Sequence, residues 1–148
     1  VQIETDPPSS PDMPLVVGLD GSFYFKPEAG GSYWLSPHDE TPSPPGDVAP
    51  DELSVALAID RFEKVLDVPV KRVTRRWAGL RSFAPDRLPV IGYDSAVEDF
   101  FWFAGQGGFG IQTAPAASKL ARAVLLGQAP DEMLRHIDAS RYSASRFR

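Results

Sequence analysis

Cysteine is absent from all 148 residues, which excludes disulfides, thiolate metal sites, iron–sulfur clusters and any cysteine-linked cofactor, and leaves the redox compartment undecided. No run approaches the roughly 20 consecutive apolar residues of a membrane span. Val1-Gln2-Ile3-Glu4-Thr5 has neither the basic start nor the apolar stretch of a signal peptide. A soluble chain is expected, cytoplasmic, with peripheral association to a membrane left open. A one-signed charge stripe is also missing: 15 basic and 20 acidic side chains are interspersed to a net charge of -5, which argues against a nucleic-acid partner. Histidine is scarce, and His38-Asp39-Glu40 lies in a proline-broken loop, so neither a metal site nor a Ser-His-Asp arrangement has support. The chain does not open on Met, and Val1 to Ile3 reads as a strand already under way, so a piece of a longer polypeptide is expected.

What the sequence does contain is alternation broken by turns. Residues 5–14 hold four prolines and little that is apolar, a linker composition expected to be mobile. Leu15-Val16-Val17, the turn signal Asp20-Gly21, Ser22-Phe23-Tyr24-Phe25-Lys26, a second turn at Glu28-Ala29-Gly30-Gly31 and Ser32-Tyr33-Trp34-Leu35 predict a small antiparallel meander. Prolines at 37, 42, 44, 45 and 50 then break a long loop. Asp51 is placed to cap a helix reaching about Leu66, with Leu53, Leu57, Phe62, Val65 and Leu66 on its apolar side and Asp60, Arg61, Glu63 and Lys64 mostly wet. Val70 to Leu80 predicts a long strand, Leu88 to Gly92 a short apolar one. A last helix starts near Ile111 and stops at Gly127, with Pro115 in or near its first turn and Ala114, Ala117, Ala121, Val124 and Leu125 as its packing face. The tail arginines Arg141, Arg146 and Arg148 are expected to pair with acids outside this chain.

Everything is organised around Phe100-Phe101-Trp102-Phe103-Ala104-Gly105-Gln106-Gly107-Gly108-Phe109-Gly110-Ile111-Gln112, which reads as a buried strand that runs through a glycine turn into a helix. A helix N-terminus presents unpaired N–H groups and the positive end of its dipole, so an anion or an electron-rich ring edge is the natural guest. Read literally, Gly105 to Gly110 satisfies G-x-G-x-x-G, and Asp131 follows about 20 residues on. The βαβ unit is nevertheless not completed, because Leu126-Gly127-Gln128-Ala129-Pro130 is a helix stop and a loop where a second parallel strand is required. A self-contained dinucleotide domain is therefore disfavoured, and a tight turn that merely packs competes with a binding turn.

Four segments in register, Tyr24-Phe25-Lys26-Pro27-Glu28-Ala29-Gly30-Gly31, Trp77-Ala78-Gly79-Leu80-Arg81-Ser82-Phe83, Leu88-Pro89-Val90-Ile91-Gly92 and Phe103 through Gln112, resemble the C-terminal half of the FAD-dependent D-amino acid oxidase superfamily. The likeness is nearest to its glycine oxidase and D-amino acid dehydrogenase branch. The N-terminal Rossmann segment that grips the ADP part of FAD in that superfamily has no counterpart in these residues. The resemblance implies an α+β fold: an antiparallel substrate-domain sheet with a covering helix, plus a strand–glycine turn–helix segment that completes an FAD-binding domain supplied by a missing N-terminal half or subunit. On that reading residues 1–14 are linker or strand remnant, 15–92 substrate domain and 93–148 the last part of the FAD-binding domain.

The resemblance also implies roles. Gly107, Gly108, Phe109, Gly110, Ile111 and Gln112 match the turn beneath the pyrimidine edge of the flavin ring. Charge appears there on reduction, and a helix start stabilises it by roughly 0.3–2 kcal/mol. Arg81 matches the arginine that clamps a substrate carboxylate, and Tyr24 the tyrosine that shares it; Gln106 is assigned to substrate or flavin. The plainer alternatives are a surface ion pair for Arg81 and sheet packing for Tyr24. The implied activity is oxidation of the Cα–N bond of a D-amino acid or related amine with FAD as cofactor, the isolated chain being inactive. A folded, non-catalytic interaction module is the rival reading.

Overall fold

Ser32-Tyr33-Trp34-Leu35-Ser36 and Tyr24-Phe25-Lys26-Pro27-Glu28 alternate as the two faces of a half-buried sheet demand, and they pair antiparallel, Phe25 opposite Leu35 and Lys26 opposite Trp34. The computed structural model describes residues 1–147. The chain divides into one unit of Val1–Leu80 and a second from Arg81 onward. In the first unit, β1 (Gln2–Thr5), β2 (Val16–Val17), β3 (Tyr24–Glu28), β4 (Ser32–Ser36) and β5 (Val70–Arg75) form one sheet in the order β2-β3-β4-β1-β5. The expected meander is therefore β2-β3-β4, and β1 is an interior strand, antiparallel to both β4 and β5.

α1 (Glu52–Val65) begins where Asp51 accepts a hydrogen bond from the Ser54 N–H at 2.8 Å. It covers one face of the sheet, and Ile3, Phe25, Tyr33, Leu35, Ala58 and Phe62 form the core between them. Phe62 meets Phe25 and Tyr33 with ring centroids 5.0 Å from each, an edge-to-face arrangement with Phe25. The expected apolar side of this helix is out of phase. Leu53, Leu57 and Val65 are exposed, because the stripe that meets the sheet runs through Ala58, Ile59, Phe62 and Leu66. Arg61 is not simply wet either: its Nη1 donates to the carbonyls of Ser22 and Pro37, tying the helix to the β2–β3 connection and to the loop after β4.

Two further expectations for this unit are corrected. The proline-rich stretch is anchored, since Ser9 is buried, its N–H donates to Gly31 O and its Oγ to Ser32 O, both at 2.8 Å. β5 ends at Arg75 instead of continuing to Leu80, because Arg75 already stands opposite Gln2, the first residue of β1, and there is no partner strand beyond it.

In the second unit β6 (Val90–Tyr93) and β7 (Phe101–Ala104) make an antiparallel pair, with Val90 opposite Ala104 and Tyr93 opposite Phe101. Asp94 holds their connection: its Oδ1 accepts from the N–H of Ala96 and Val97, and its Oδ2 from Trp102 Nε1 at 2.9 Å. α2 (Gly110–Leu126) lies against β6 through Ile91, Leu120 and Leu134, with Ala116, Ala117, Ala121 and Val124 around them. Of the expected packing face, Ala114 and Leu125 are exposed. Pro115 sits inside the helix, deeper than expected, and its missing N–H leaves the Ile111 carbonyl without its usual partner.

Short turns of tighter helix, Glu132–Leu134, Ala139–Tyr142 and Ala144–Phe147, close the second unit. Arg146 does not wait for an outside acid: Nε and Nη2 meet Asp86 at 2.7 and 3.0 Å, and Nη2 also donates to Leu88 O at 2.8 Å. Arg148 lies outside the described residues. Among the described residues no helix is long and apolar enough to cross a membrane.

Candidate functional site

Residues 81–84 run antiparallel to the glycine turn, and that pairing builds the site. The Gly107 N–H donates to Ser82 O at 3.0 Å, and Phe83 and Gln106 form an isolated bridge. The turn itself closes through Phe109 N–H to Gln106 O at 2.9 Å, with φ of +58° at Gly107 and +91° at Gly108. Two positive angles in succession are the signature of a primed turn, which side chains other than glycine enter only under strain. Close approach adds a second reason. A β-carbon on Gly107 would stand 2.8 Å from Phe83 Cε1, and one on Gly108 would stand 2.9 Å from Arg81 Cδ.

The expected set of open amides is thereby narrowed. Gly107 and Phe109 give their N–H groups to the chain itself. Gly110, Ile111 and Gln112 open α2, whose N-cap residue Phe109 offers no side-chain acceptor. The first protein-paired amide after them is Thr113, which donates to Phe109 O at 3.0 Å. Among the described residues, the N–H groups of Gly108, Gly110, Ile111 and Gln112 have no protein acceptor. α1, by contrast, is capped by its own aspartate. No acidic residue lies in the first turn of α2, so its positive end is not neutralised from within.

Gln106 adds a fifth donor: its Nε2 is buried and has no partner among the described residues. Arg81 is half-buried, its guanidinium carbon is 5.3 Å from the Phe83 ring centroid, and its stem rests on Gly108. The sequence assigns Arg81, Tyr24 and Gln106 to the substrate and the turn 107–112 to the flavin ring; of these, Arg81, Gln106 and the turn lie together in the second unit. Tyr24 belongs to the first unit, where it stands opposite Ser36 on the face of the sheet away from α1. Its ring meets His38 edge-on at 5.8 Å, and His38 Nδ1 contacts Gly21 O. His38, expected as plain surface loop, is half-buried in this contact.

The sequence gives no role to Phe83 or Asp86, and it sends Arg146 to an acid outside the chain instead of to Asp86. The available signal for Phe83 is its spacing, an aromatic two residues after Arg81 and so able to pack against its guanidinium. The Asp86 carboxyl is held below the ordinary aspartate range, first by its hydrogen bond from Arg146 and further by the Leu88 N–H and the guanidinium charge. That pair fixes the loop after Phe83. On β3, Glu28 is likewise lowered, chiefly by a hydrogen bond from Lys26 at 2.7 Å. Among the described residues no cluster of His, Cys, Asp or Glu could hold a metal ion.

An unpartnered row of amides at a helix start, a buried amide nitrogen beside it and a guanidinium stacked over an adjacent ring suit an electron-rich planar group and an anion side by side. A family model described as FAD dependent oxidoreductase (DAO) matches residues 1–123, from β1 through most of α2, and so takes in both units. The chain therefore belongs to the family of FAD-dependent oxidoreductases, with FAD as its cofactor.

Proposed function

We propose that this chain forms the substrate-binding and flavin-ring-binding part of an oxidoreductase that acts on the Cα–N bond of a D-amino acid or a related amine. The observation that carries the reading is the coincidence of open amides at Gly108, Gly110, Ile111 and Gln112 with Arg81, whose stem packs on Gly108. These donors and the buried Gln106 Nε2 fit the pyrimidine edge of an isoalloxazine, which offers acceptor atoms and gains negative charge on reduction. Phe109 and Gly107 contribute the shape of the turn.

Bound FAD supplies a two-electron acceptor for the hydride of the substrate Cα–H. Arg81 binds the substrate carboxylate through its planar fork, which fixes the Cα–H in a single orientation. The resemblance assigns Tyr24 a phenol that donates to a substrate carboxylate. Loss of that hydride together with a proton from the amine nitrogen would leave an imine, which water hydrolyses to an oxo acid and ammonia or an amine. A purely structural turn explains the glycines at 107 and 108, since both meet side chains of 81–83, but it gives no reason for four amides and a buried Gln106 nitrogen that have no partner among the described residues.

The ADP part of FAD needs a companion half, which this reading assigns to a nucleotide-binding segment or subunit. In support, β6 and β7 form a sheet of two strands only, and Trp102 and Phe103, which point to opposite faces, are 38% and 49% exposed. Two strands alone make a marginal sheet in water. The test is an anion titration of the FAD-loaded protein followed by flavin absorbance, with acetate as probe. Arg81→Ala is expected to weaken acetate about tenfold or more, as loss of one charge-assisted pair requires; unaltered acetate affinity would remove Arg81 from the site.

A further inference from the structure

Phe83 meets Arg81, Gln106 and Gly107 of the candidate site, yet nothing in the chemistry above uses it. One guanidinium carbon, that of Arg81, lies 5.3 Å from its ring centroid, and that of Arg87 lies 4.7 Å from it. Both distances fall within the range in which a cation is attracted by the quadrupole of an aromatic face. The ring edge at Cδ1 and Cε1 lies against Gly107, so closely that no β-carbon fits between them. The Phe83 backbone bridges to Gln106, and the residue before it accepts the Gly107 N–H.

Phe83 is itself held in place. Ala84 O accepts the Arg87 N–H at 2.9 Å, which turns the chain back so that Arg87 covers the ring. Arg87 takes a φ of +66° to do so. Immediately beyond, Asp86 is fixed by two bonds from Arg146, whose side chain is only 13% exposed. A half-buried ring with its edge against the glycine turn and its neighbours secured cannot shift without moving the turn.

We propose that Phe83 is a positioning residue that sets the Arg81 guanidinium and the glycine turn in one register, so that the substrate carboxylate and the flavin ring are held at a fixed offset. The proposal rests on the reading of Arg81 as the carboxylate clamp. The ring acts through two contacts at once: its π-system orients the guanidinium, and its edge backs Gly107. A ring is required for the first of these and apolar bulk alone for the second, which separates the two contributions experimentally.

The experiment uses the complete FAD-loaded protein and three variants: Phe83→Leu, which keeps apolar bulk without a π face, Phe83→Tyr, which keeps the ring, and Arg81→Ala. Acetate affinity is read from the perturbation of flavin absorbance, and FAD affinity from reconstitution of the stripped protein. Phe83→Leu is expected to raise the acetate dissociation constant about tenfold while FAD affinity changes less, and Phe83→Tyr to restore the parent value. In an Arg81→Ala background the leucine change is expected to add nothing, since the group it orients is gone. Weak acetate binding in Arg81→Ala together with parent-like binding in Phe83→Leu would overturn the positioning role and leave the carboxylate clamp standing. Parent-like binding in Arg81→Ala would overturn both. A tyrosine variant as weak as the leucine one would also overturn the role. If Phe83→Leu does not fold, Phe83→Met, which adapts its shape to the same space, takes its place with the same expectations.

Discussion

The Cδ of Arg81 occupies the space that a β-carbon on Gly108 would need, with only 2.9 Å between them. Carbon atoms in contact settle at roughly 3.5–4.0 Å, so a side chain at 108 and the present Arg81 stem are mutually exclusive. Gly108 also holds a φ of +91°. Gly108→Ala is therefore expected to do two things. The backbone strain lowers stability by about 1–3 kcal/mol in urea unfolding. The displaced arginine stem weakens acetate binding about tenfold as well. A variant that loses stability but keeps its acetate affinity would show that the guanidinium position does not depend on the stem.

Arg61 joins three segments through one nitrogen, donating to the carbonyls of Ser22 and Pro37 from α1. Replacing it with methionine keeps most of the stem packing and leaves two part-buried acceptors without a donor. Arg61→Met is expected to cost about 2 kcal/mol in urea unfolding, within the range for hydrogen bonds to charged groups. The loosened segments carry Tyr24 and His38, so the near-ultraviolet dichroism of the Tyr24–His38 contact should change with it.

Much of the first unit could be read directly from residue pattern, because its strands are local: β2, β3 and β4 follow one another through turns that Asp20-Gly21 and Gly30-Gly31 announce. The place of β1 could not. It pairs with β5 across a sequence gap of nearly the whole unit, Thr5 opposite Val70, and long-range register leaves no mark in a short window. The length of β5 was overestimated for the same reason, since β propensity runs on to Leu80 while its partner ends. In α1 the leucines at 53 and 57 outweighed the smaller Ala58, although a residue close to the sheet must be small. In the candidate site, the strand–glycine turn–helix geometry was legible from its motif. The division of the turn amides into paired and open ones was not, because it depends on residues 81–84 running alongside. Asp86 and Arg146 lie 60 positions apart, and no pattern in either neighbourhood signals the other.

That pair should be visible in the acid limb of stability. Asp86 has a folded pKa depressed below its unfolded value near 3.9, so its contribution is complete above about pH 4 and is lost as the pH falls through the depressed value. Asp86→Asn is expected to melt below the parent at pH 7 and to converge with it at strongly acid pH. Asp86 is exposed but the Arg146 side chain is only 13% so, and 1 M salt should therefore shrink the difference only in part. A difference that stays constant down to pH 2 would mean that the charge of Asp86 is not what holds the loop.

Tyr24 offers the sharpest separation of its two readings, because its ring and its hydroxyl face different tasks. The ring meets His38 edge-on and would be kept in Tyr24→Phe, so sheet packing predicts no change in either stability or ligand binding. A phenol that shares the carboxylate predicts a loss of one hydrogen bond, about 0.5–1.5 kcal/mol, or roughly a two- to twelvefold weaker acetate affinity, at unchanged stability. The double variant with Arg81→Ala then decides whether the two act on one anion. If they do, the arginine change removes most of what the hydroxyl could bind, and the combined loss is smaller than the two single losses added. Full additivity would assign Tyr24 to a different part of the substrate, and no loss in Tyr24→Phe would return it to packing alone.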